Sequence, residues 1–572
     1  MGKFNLLDEP WVRVMTADTG ETEEVSLIDV FRHADRYVDL AGEMKTQDFA
    51  VLRTLLAVLH TVFSRFDAQG RPYEWVQLDE RYRQMEDVDE DDVEDYALDL
   101  MRTWKDLWRA GSFPSIVEEY LEKWHDRFYL LDDKYPFYQV IQEEVTRDRL
   151  TRDMGQFWGK NINRTISESE NKTSLFSPSA NIDKRDNKEI LSASEIARWL
   201  IMLHGYTGVG DKTKFKLCPP KVTLSKGWLY DLGGVYAVGE NLFETLLLNL
   251  VLVPEIDTYI GRIQRPAWES DSAIQIASYL SLRQPDNLAE LYTRWSRAIY
   301  VNPDHDPTAP FYCGLVKLPE VEHQNQFLEP MTLWDFNGKG ANKDTFTPRK
   351  HRLHQSLWRN FGLIRYSDSE TTGRAPGIYQ WLNRVHPVIG GYRLQLVAVG
   401  MKPDSNKASR APVNEIVDTF SIHDAVLFDG GDAGWSARIE DIVEVIKQIV
   451  EKTFGVFVNS VLEIRNIKEI GKRRAIYLGQ LYFQIDSPFK EWLATLQPDD
   501  DKEKRIAEWY DVLRQIVRRQ AENIVREAGA QDYKGKVVND QFRNIMTAYN
   551  EFQYFLNQAL PSKEGKEHAA KQ

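Results

Sequence analysis

Asp429-Gly-Gly-Asp-Ala-Gly434 divides this chain into two kinds of sequence. Beyond it the apolar residues recur at helical spacing: Ile442, Val445, Ile446 and Ile449; Leu478, Leu481, Trp492, Leu493 and Leu496; Trp509, Leu513, Ile516 and Val517; Phe542, Ile545, Tyr549 and Phe552. Residues three or four apart share one face of a helix, so each run reads as an amphipathic helix with a buried stripe. Four such helices joined by polar or Pro-containing links predict an antiparallel bundle over residues 431–560. The polar tail, 561–572, buries too little to order itself and is expected to be disordered.

Ahead of the glycine-rich stretch the pattern is mixed. Trp11, Val12 and Val14 are β-formers after Pro10. Leu52, Leu55, Leu56, Leu59 and Phe63 recur at helical spacing and predict a core helix, with Thr46 or Asp48 as its cap. Further helices are expected over 96–109, 115–124 and 241–253, and a hairpin or paired strands over 227–239. No βαβ period is present, so the chain reads as α+β, with a mixed α/β domain over 1–430 followed by the four-helix bundle.

The 572 residues are 42% hydrophobic and 28% charged, as in an ordinary folded protein. The net charge of −15 argues against a protein that coats nucleic acid by itself, so any such contact must be local or supported by basic partners. Cys218 and Cys313 are too few for a disulfide framework or a cysteine zinc site, which points to a reducing compartment. The N-terminus has no charged-then-apolar leader, and position 6 is Leu6 rather than the Ser or Thr of a myristoylation signal. The apolar run from Leu246 to Val253 is far short of the ~20 residues a membrane span needs. These features predict a cytoplasmic protein without membrane contact. The acidic run from Glu86 to Asp95 lacks the fixed Gly and Glu of a calcium loop and reads as a solvated lead into the next helix.

Residues 161–216 hold the most suggestive surface. A polar run containing Asn171 surrounds Leu175 and Phe176, and an aromatic there has nothing local to pack on. Ser192-Ala-Ser-Glu195 has the capping-box spacing, and Gly205-Tyr-Thr-Gly-Val-Gly-Asp211 then leads to Lys212, Lys214 and Lys216. The glycines are one residue out of register with a phosphate-binding loop, which also has to follow a strand. A nucleotide-dependent enzyme using 205–213 is the alternative reading. Otherwise Gly208 and Gly210 let the backbone approach a polyanion whose phosphates the lysines neutralise, or they simply end a helix before a solvated lysine run. The basic segment Pro348–Arg359, with Trp358, fits either nucleic acid or an amphipathic surface helix. Asp304-His-Asp306 lacks metal-hydrolase spacing, and no Gly-x-Ser-x-Gly elbow occurs. No catalytic residue and no cofactor is called for.

Several pieces in order resemble the CasA family, the large subunit of the type I-E CRISPR Cascade complex. They are Phe4-Asn-Leu-Leu-Asp-Glu-Pro-Trp11, the leucine-rich helix, Tyr135-Pro-Phe-Tyr-Gln139, Asn241-Leu-Phe-Glu-Thr-Leu-Leu-Leu-Asn-Leu250 and Pro266-Ala-Trp-Glu269, followed by the helical bundle. The resemblance implies a non-catalytic subunit that joins CRISPR RNA and other Cascade subunits. It would read the protospacer-adjacent motif on foreign duplex DNA, help open the duplex and recruit a helicase-nuclease. A comparable division of labour, with protein reading the flank and RNA reading the target, operates in other effectors. Carried onto this chain, the resemblance places an RNA- or DNA-contacting aromatic at Phe176, near Asn171. It places a groove-facing glycine loop at Gly208 and Gly210, with Lys212 and Lys214 as phosphate neighbours. A duplex wedge falls at Asn406 and Lys407, and a minor-groove lysine at Lys317. Lys407 stands where the family often has Gln and offers no acceptor.

Overall fold

Leu55-Leu-Ala-Val-Leu59 is apolar on every side of a helix, and such a helix has to be buried on every side. A computed structural model, which describes residues 2–162, 189–208, 212–224, 226–364, 373–403, 412–538 and 541–560, places it at Lys45–Phe63. Every residue of it from Thr46 onward is buried. The helices Ala193–Tyr206 and Leu288–Tyr292 pack against it. Neither expected cap acts as one. Thr46 donates from N and Oγ1 to Glu415, at 2.7 and 2.6 Å. Asp48 accepts from Gly42 N at 2.7 Å, and burial pushes its carboxyl up to about 6.

Two arginines enter this core. Arg53 forms a two-pronged pair with Glu329, at 2.8 and 2.7 Å, and both side chains are essentially inaccessible. Glu329 also accepts from Trp228 Nε1 at 2.5 Å and Met331 N at 2.9 Å, and the Arg53 guanidinium lies 4.1 Å from the Tyr292 ring centre. Arg65 repeats the pattern with Glu269 at 2.7 and 3.1 Å. Tyr120 OH donates to Glu269 at 2.6 Å and accepts from Trp268 Nε1 at 2.8 Å.

The chain divides into two compact units: Met1–Leu353 with Tyr366–Val388 and Leu396–Asp418, and His354–Arg365 with Ile389–Gln395 and Thr419–Gln572. The first unit mixes helices with small antiparallel sheets, among them Val12–Thr16 between Thr22–Val25 and Tyr37–Leu40. Residues 227–239 form no hairpin. They make a 3-10 turn, Trp228–Asp231, and a single strand, Gly234–Val238. The helix expected over 241–253 spans Leu242–Leu248. It stops there because Asn249 turns its amide onto the Ala237 backbone, at 3.0 and 2.6 Å.

In the second unit four long helical runs carry the apolar stripes, which matches the α+β class with a C-terminal helical region. Trp435–Gln448 continues through a π segment, Ile449–Phe454, into Gly455–Ile464. Ile470–Thr495, Lys502–Arg526 and Ile545–Ala559 follow. The opening Asp429–Gly434 stretch caps the first run: Trp435 N donates to Asp429 Oδ2 at 2.9 Å, and a Cβ on Gly434 would lie 2.2 Å from Asp429 O. Phe542 departs from the expected stripe. It is 58% exposed, in a short strand, Gln541–Arg543, paired with Lys536–Val538, and the last helix starts only after the Asn544 cap. The 561–572 tail and most of the 161–186 stretch lie outside the described residues.

Removing one partner of a buried ion pair strands the other charge away from water. Glu329→Ala is therefore expected to destabilise the N-terminal unit by roughly 3–5 kcal/mol. Urea denaturation followed by tryptophan fluorescence measures this, and an unchanged midpoint contradicts it.

Candidate nucleic-acid interface

The Ala193–Tyr206 helix begins with the capping box its sequence announces: Glu195 N donates to Ser192 Oγ at 3.2 Å, and Ser192 N to Glu195 Oε2 at 2.9 Å. Arg198 ties the helix to segments flanking the N-terminal strands, through Trp11 O at 2.7 Å and Glu43 at 2.6 Å. His204, buried against Tyr138 O at 2.9 Å, is pushed down to about 4 by burial and stays neutral at pH 7. Gly205 lies inside the helix rather than in a loop, where a Cβ would sit 2.8 Å from Leu229 Cδ1. The glycine that seemed to open a phosphate loop is thus a packing glycine, and a helix stands where that loop requires a strand.

The helix end is fixed from several sides. Thr207 N and Oγ1 both turn back to Leu203 O. Thr207 O accepts from Gly227 N at 2.9 Å, and Thr207 Oγ1 lies 3.1 Å from Ser296 Oγ. The next carbonyl, that of the half-buried Gly208, accepts from Arg297 Nη2 at 2.8 Å. Gly227 comes so close that a Cβ there would lie 2.1 Å from Gly205 O.

In Lys212-Thr-Lys-Phe-Lys216 the two residues Lys214 and Phe215 form isolated β-bridges, and burial alternates along the segment. Thr213 and Phe215 are buried, Lys212 and Lys216 exposed, and Lys214 half-buried. The segment adds to a three-stranded sheet in which Tyr312–Lys317 lies between Gly155–Trp158 and Arg297–Tyr300. Lys214 and Lys317 are neighbours in a parallel bridge, and Lys317 N donates to Thr213 O at 3.0 Å. On the other side Leu150 pairs with Phe215, and Lys216 N donates to Arg149 O at 2.9 Å. Arg149, Lys212, Lys214 and Lys216 form no ion pair among the described residues.

Lys214 and Lys317 therefore stand side by side, and Lys317 pairs with Arg297, whose side chain holds the Gly208 carbonyl. Asn171, Phe176, Gly210, Asn406 and Lys407 lie outside the described residues. Arg149, Gly227 and Arg297, which bond to Lys216 N, Thr207 O and Gly208 O, were missed. The alternation in Lys-Thr-Lys-Phe-Lys was the readable signal for a strand with its cations on one face.

The basic segment at 348–359 is not a stacking surface. Trp358 is fully buried beside Phe489, 4.5 Å between ring centres, and donates to Asp486 Oδ1 at 2.7 Å. Arg349 pairs with Asp335 at 2.9 Å. Lys350 pairs with Asp231, whose carboxyl is held down to about 2, against its burial, by Lys350 and Lys226. His351 is buried against Gly234 O at 2.8 Å. These groups serve the protein's own packing.

A sequence model of the CRISPR-associated protein Cse1 family matches residues 5–520. A CasA/Cse1 protein of Thermus thermophilus is 27% identical over 277 residues, 47% of this chain. The match spans 42% of that relative's length. The crystal structure of Thermobifida fusca Cse1 is similar with a TM-score of 0.74 at 24% identity, covering 98% of both chains. A chain from a CRISPR RNA-guided surveillance complex is similar with a TM-score of 0.63 at 15% identity, covering 97% of this chain and 100% of that one. At these identities the structural likeness establishes the fold.

The space left by Gly227 sets a local test. Gly227→Ala forces backbone atoms apart and is expected to cost about 1–3 kcal/mol. It should also raise amide exchange at 205–208, measured by hydrogen–deuterium exchange, and unchanged protection there refutes the clamp.

Proposed function

Because the chain belongs to the CRISPR-associated Cse1 family, we propose that it is the large, non-catalytic subunit of a type I-E CRISPR RNA-guided surveillance complex. In this reading it recognises the protospacer-adjacent motif in foreign duplex DNA, aids opening of the duplex and recruits a helicase-nuclease. The observation that carries the reading is the pairing of Lys214 with Lys317, which stands opposite Arg297, the donor to the Gly208 carbonyl. Two neighbouring lysines suit a phosphate backbone, and the absence of a side chain at Gly208 suits close approach to a groove. The CRISPR RNA and the other Cascade subunits supply most of the binding surface, which removes the difficulty of a chain with net charge −15. The similarity to a chain of an RNA-guided surveillance complex supports that setting.

Roles for the remaining residues belong to the same proposal. Phe176 and Asn171 contact RNA or DNA at the foot of the complex, and Gly210 faces the groove together with Gly208. Asn406 and Lys407 form the wedge, where Lys407 can donate to a phosphate or base acceptor but cannot accept as a glutamine would. The nucleotide-enzyme reading draws no support from a helix-embedded Gly205.

The test is reconstitution of the complex with and without this chain, followed by binding to duplexes with native and scrambled flanking motifs. Discrimination between the two duplexes should appear only when the chain is present. Lys214→Ala and Lys317→Ala should each make the slope of log K against log salt shallower by about 1. Gly208→Asp should weaken duplex binding while leaving the thermal midpoint near wild type. Equal binding of both duplexes with and without the chain would sink the proposal.

A further inference from the structure

Two stretches that the proposed interface leaves unused, Tyr135-Pro-Phe-Tyr-Gln139 and Pro266-Ala-Trp-Glu269, meet in the first unit around a cavity of about 30 Å³. Gln139 and Trp295 both line it, at 1% and 5% exposure. Gln139 Nε2 donates to Leu130 O at 2.7 Å and to Phe137 O at 3.1 Å. Two carbonyls around one end of the amide identify that end as the NH2 group. The other end, Gln139 Oε1, has no hydrogen-bond partner among the described residues, and neither has the Trp295 indole N–H. The Trp295 ring lies against His204, 6.0 Å between centres, and Trp295 N donates to Tyr279 OH at 2.5 Å. One fixed acceptor and one fixed donor thus belong to the lining of one small space.

The walls and rim narrow what can enter. Phe137 and Tyr138 lie flat on each other, 4.3 Å between centres and 7° between planes, and Trp268 stands beside Phe137. Tyr138 takes this position with φ at 55°, a left-handed backbone that costs energy for a residue with a side chain and recurs where ligands are clamped. At the rim the Arg127 guanidinium lies 3.6 Å and the Lys134 ammonium 4.7 Å from the Tyr135 ring centre. These cations disfavour an incoming ammonium or guanidinium, and the lone pairs of Gln139 Oε1 disfavour a carboxylate. A space of about 30 Å³ suits a group of a few heavy atoms and is far too small for a nucleobase. Water fits it too, but gains nothing from aromatic walls. A primary carboxamide carries a donor and an acceptor on separate atoms of one flat group, so it can serve both protein atoms and lay its face on the rings.

We propose that this cavity is a receptor site for a primary carboxamide, the side-chain tip of a glutamine or asparagine on a partner protein. A free amide of this size has too few atoms for more than weak binding, whereas the same group on a protein surface anchors a wider interface. The proposal is independent of the duplex-reading role.

The full-length chain, labelled with nitrogen-15 at its tryptophan indoles, reports on the site by NMR through Trp295, whose resonance is the one missing from Trp295→Phe or Trp295→Tyr. The probes are N-acetylglutamine methylamide, the correspondingly blocked glutamate, and the blocked glutamine dimethylated on its side-chain nitrogen. Blocked glutamine is expected to shift the Trp295 resonance saturably, with a Kd roughly tenfold or more below those of the other two, which offer no donor to Gln139 Oε1. Gln139→Met should abolish that preference. Equal affinity for all three probes overturns the proposal, as does a Trp295 resonance that blocked glutamine leaves unmoved or a preference that survives in folded Gln139→Met. If Gln139→Met does not fold, the three probes on the wild-type chain decide alone.

Discussion

A guanidinium that water cannot reach has to be neutralised by a carboxylate and its donors have to be used, because an unpaired buried charge costs several kcal/mol. At Arg53 that demand gathers segments far apart in sequence around one carboxylate: Glu329, Met331 and Trp228, with Tyr292 lying over the cation. The consequence reaches the proposed interface. Trp228, held by Glu329, follows Gly227 directly, and Gly227 closes on Gly205 and Thr207. The turn at Gly208 is therefore anchored to the centre of the unit through two residues of backbone. Arg65 imposes a second convergence at Glu269, Tyr120 and Trp268. Two charged side chains thus decide which distant pieces of an otherwise interchangeable apolar core meet.

Features fixed by neighbours in sequence were readable. The Ser192–Glu195 capping box, the leucine-rich 45–63 helix and the stripes of the C-terminal helices follow from side chains one to four positions apart. Features fixed by distant partners were not. Gly205 resembled a loop glycine because nothing local reveals Leu229 and Gly227 pressing on the helix. Trp358 resembled a surface ring because its partners, Asp486 and Phe489, come from a helix more than a hundred positions away. Phe542 kept helical spacing to Ile545 by coincidence, since spacing counts residues and cannot register the Asn544 cap between them. In the candidate site the individual lysines were legible by type. Their adjacency was not, because a single β-bridge leaves no periodic trace.

The charge distribution separates two requirements that oppose each other. A net charge of −15 keeps an isolated chain from adhering to any polyanion it meets. Arg149, Lys212, Lys214 and Lys216 form no ion pair among the described residues, although the Asp148 carboxylate is held down by a hydrogen bond from Thr146 and in part by Arg149 and Lys216. Elsewhere basic residues are answered internally, as at Arg349 with Asp335 and Lys350 with Asp231.

The bridge between Lys214 and Lys317 also bears on how the molecule comes into being. Its two sides are roughly a hundred residues apart, and contacts of that separation require loop closure before they return any stabilisation, so they form late. Local elements such as the capped 193–206 helix can form early, while the cationic edge waits for the sheet that unites residues 150, 215, 297 and 317. A nascent or partly folded chain therefore carries the lysines but not the surface. On the function proposed above, the surface offered to nucleic acid would then exist only in the completed fold.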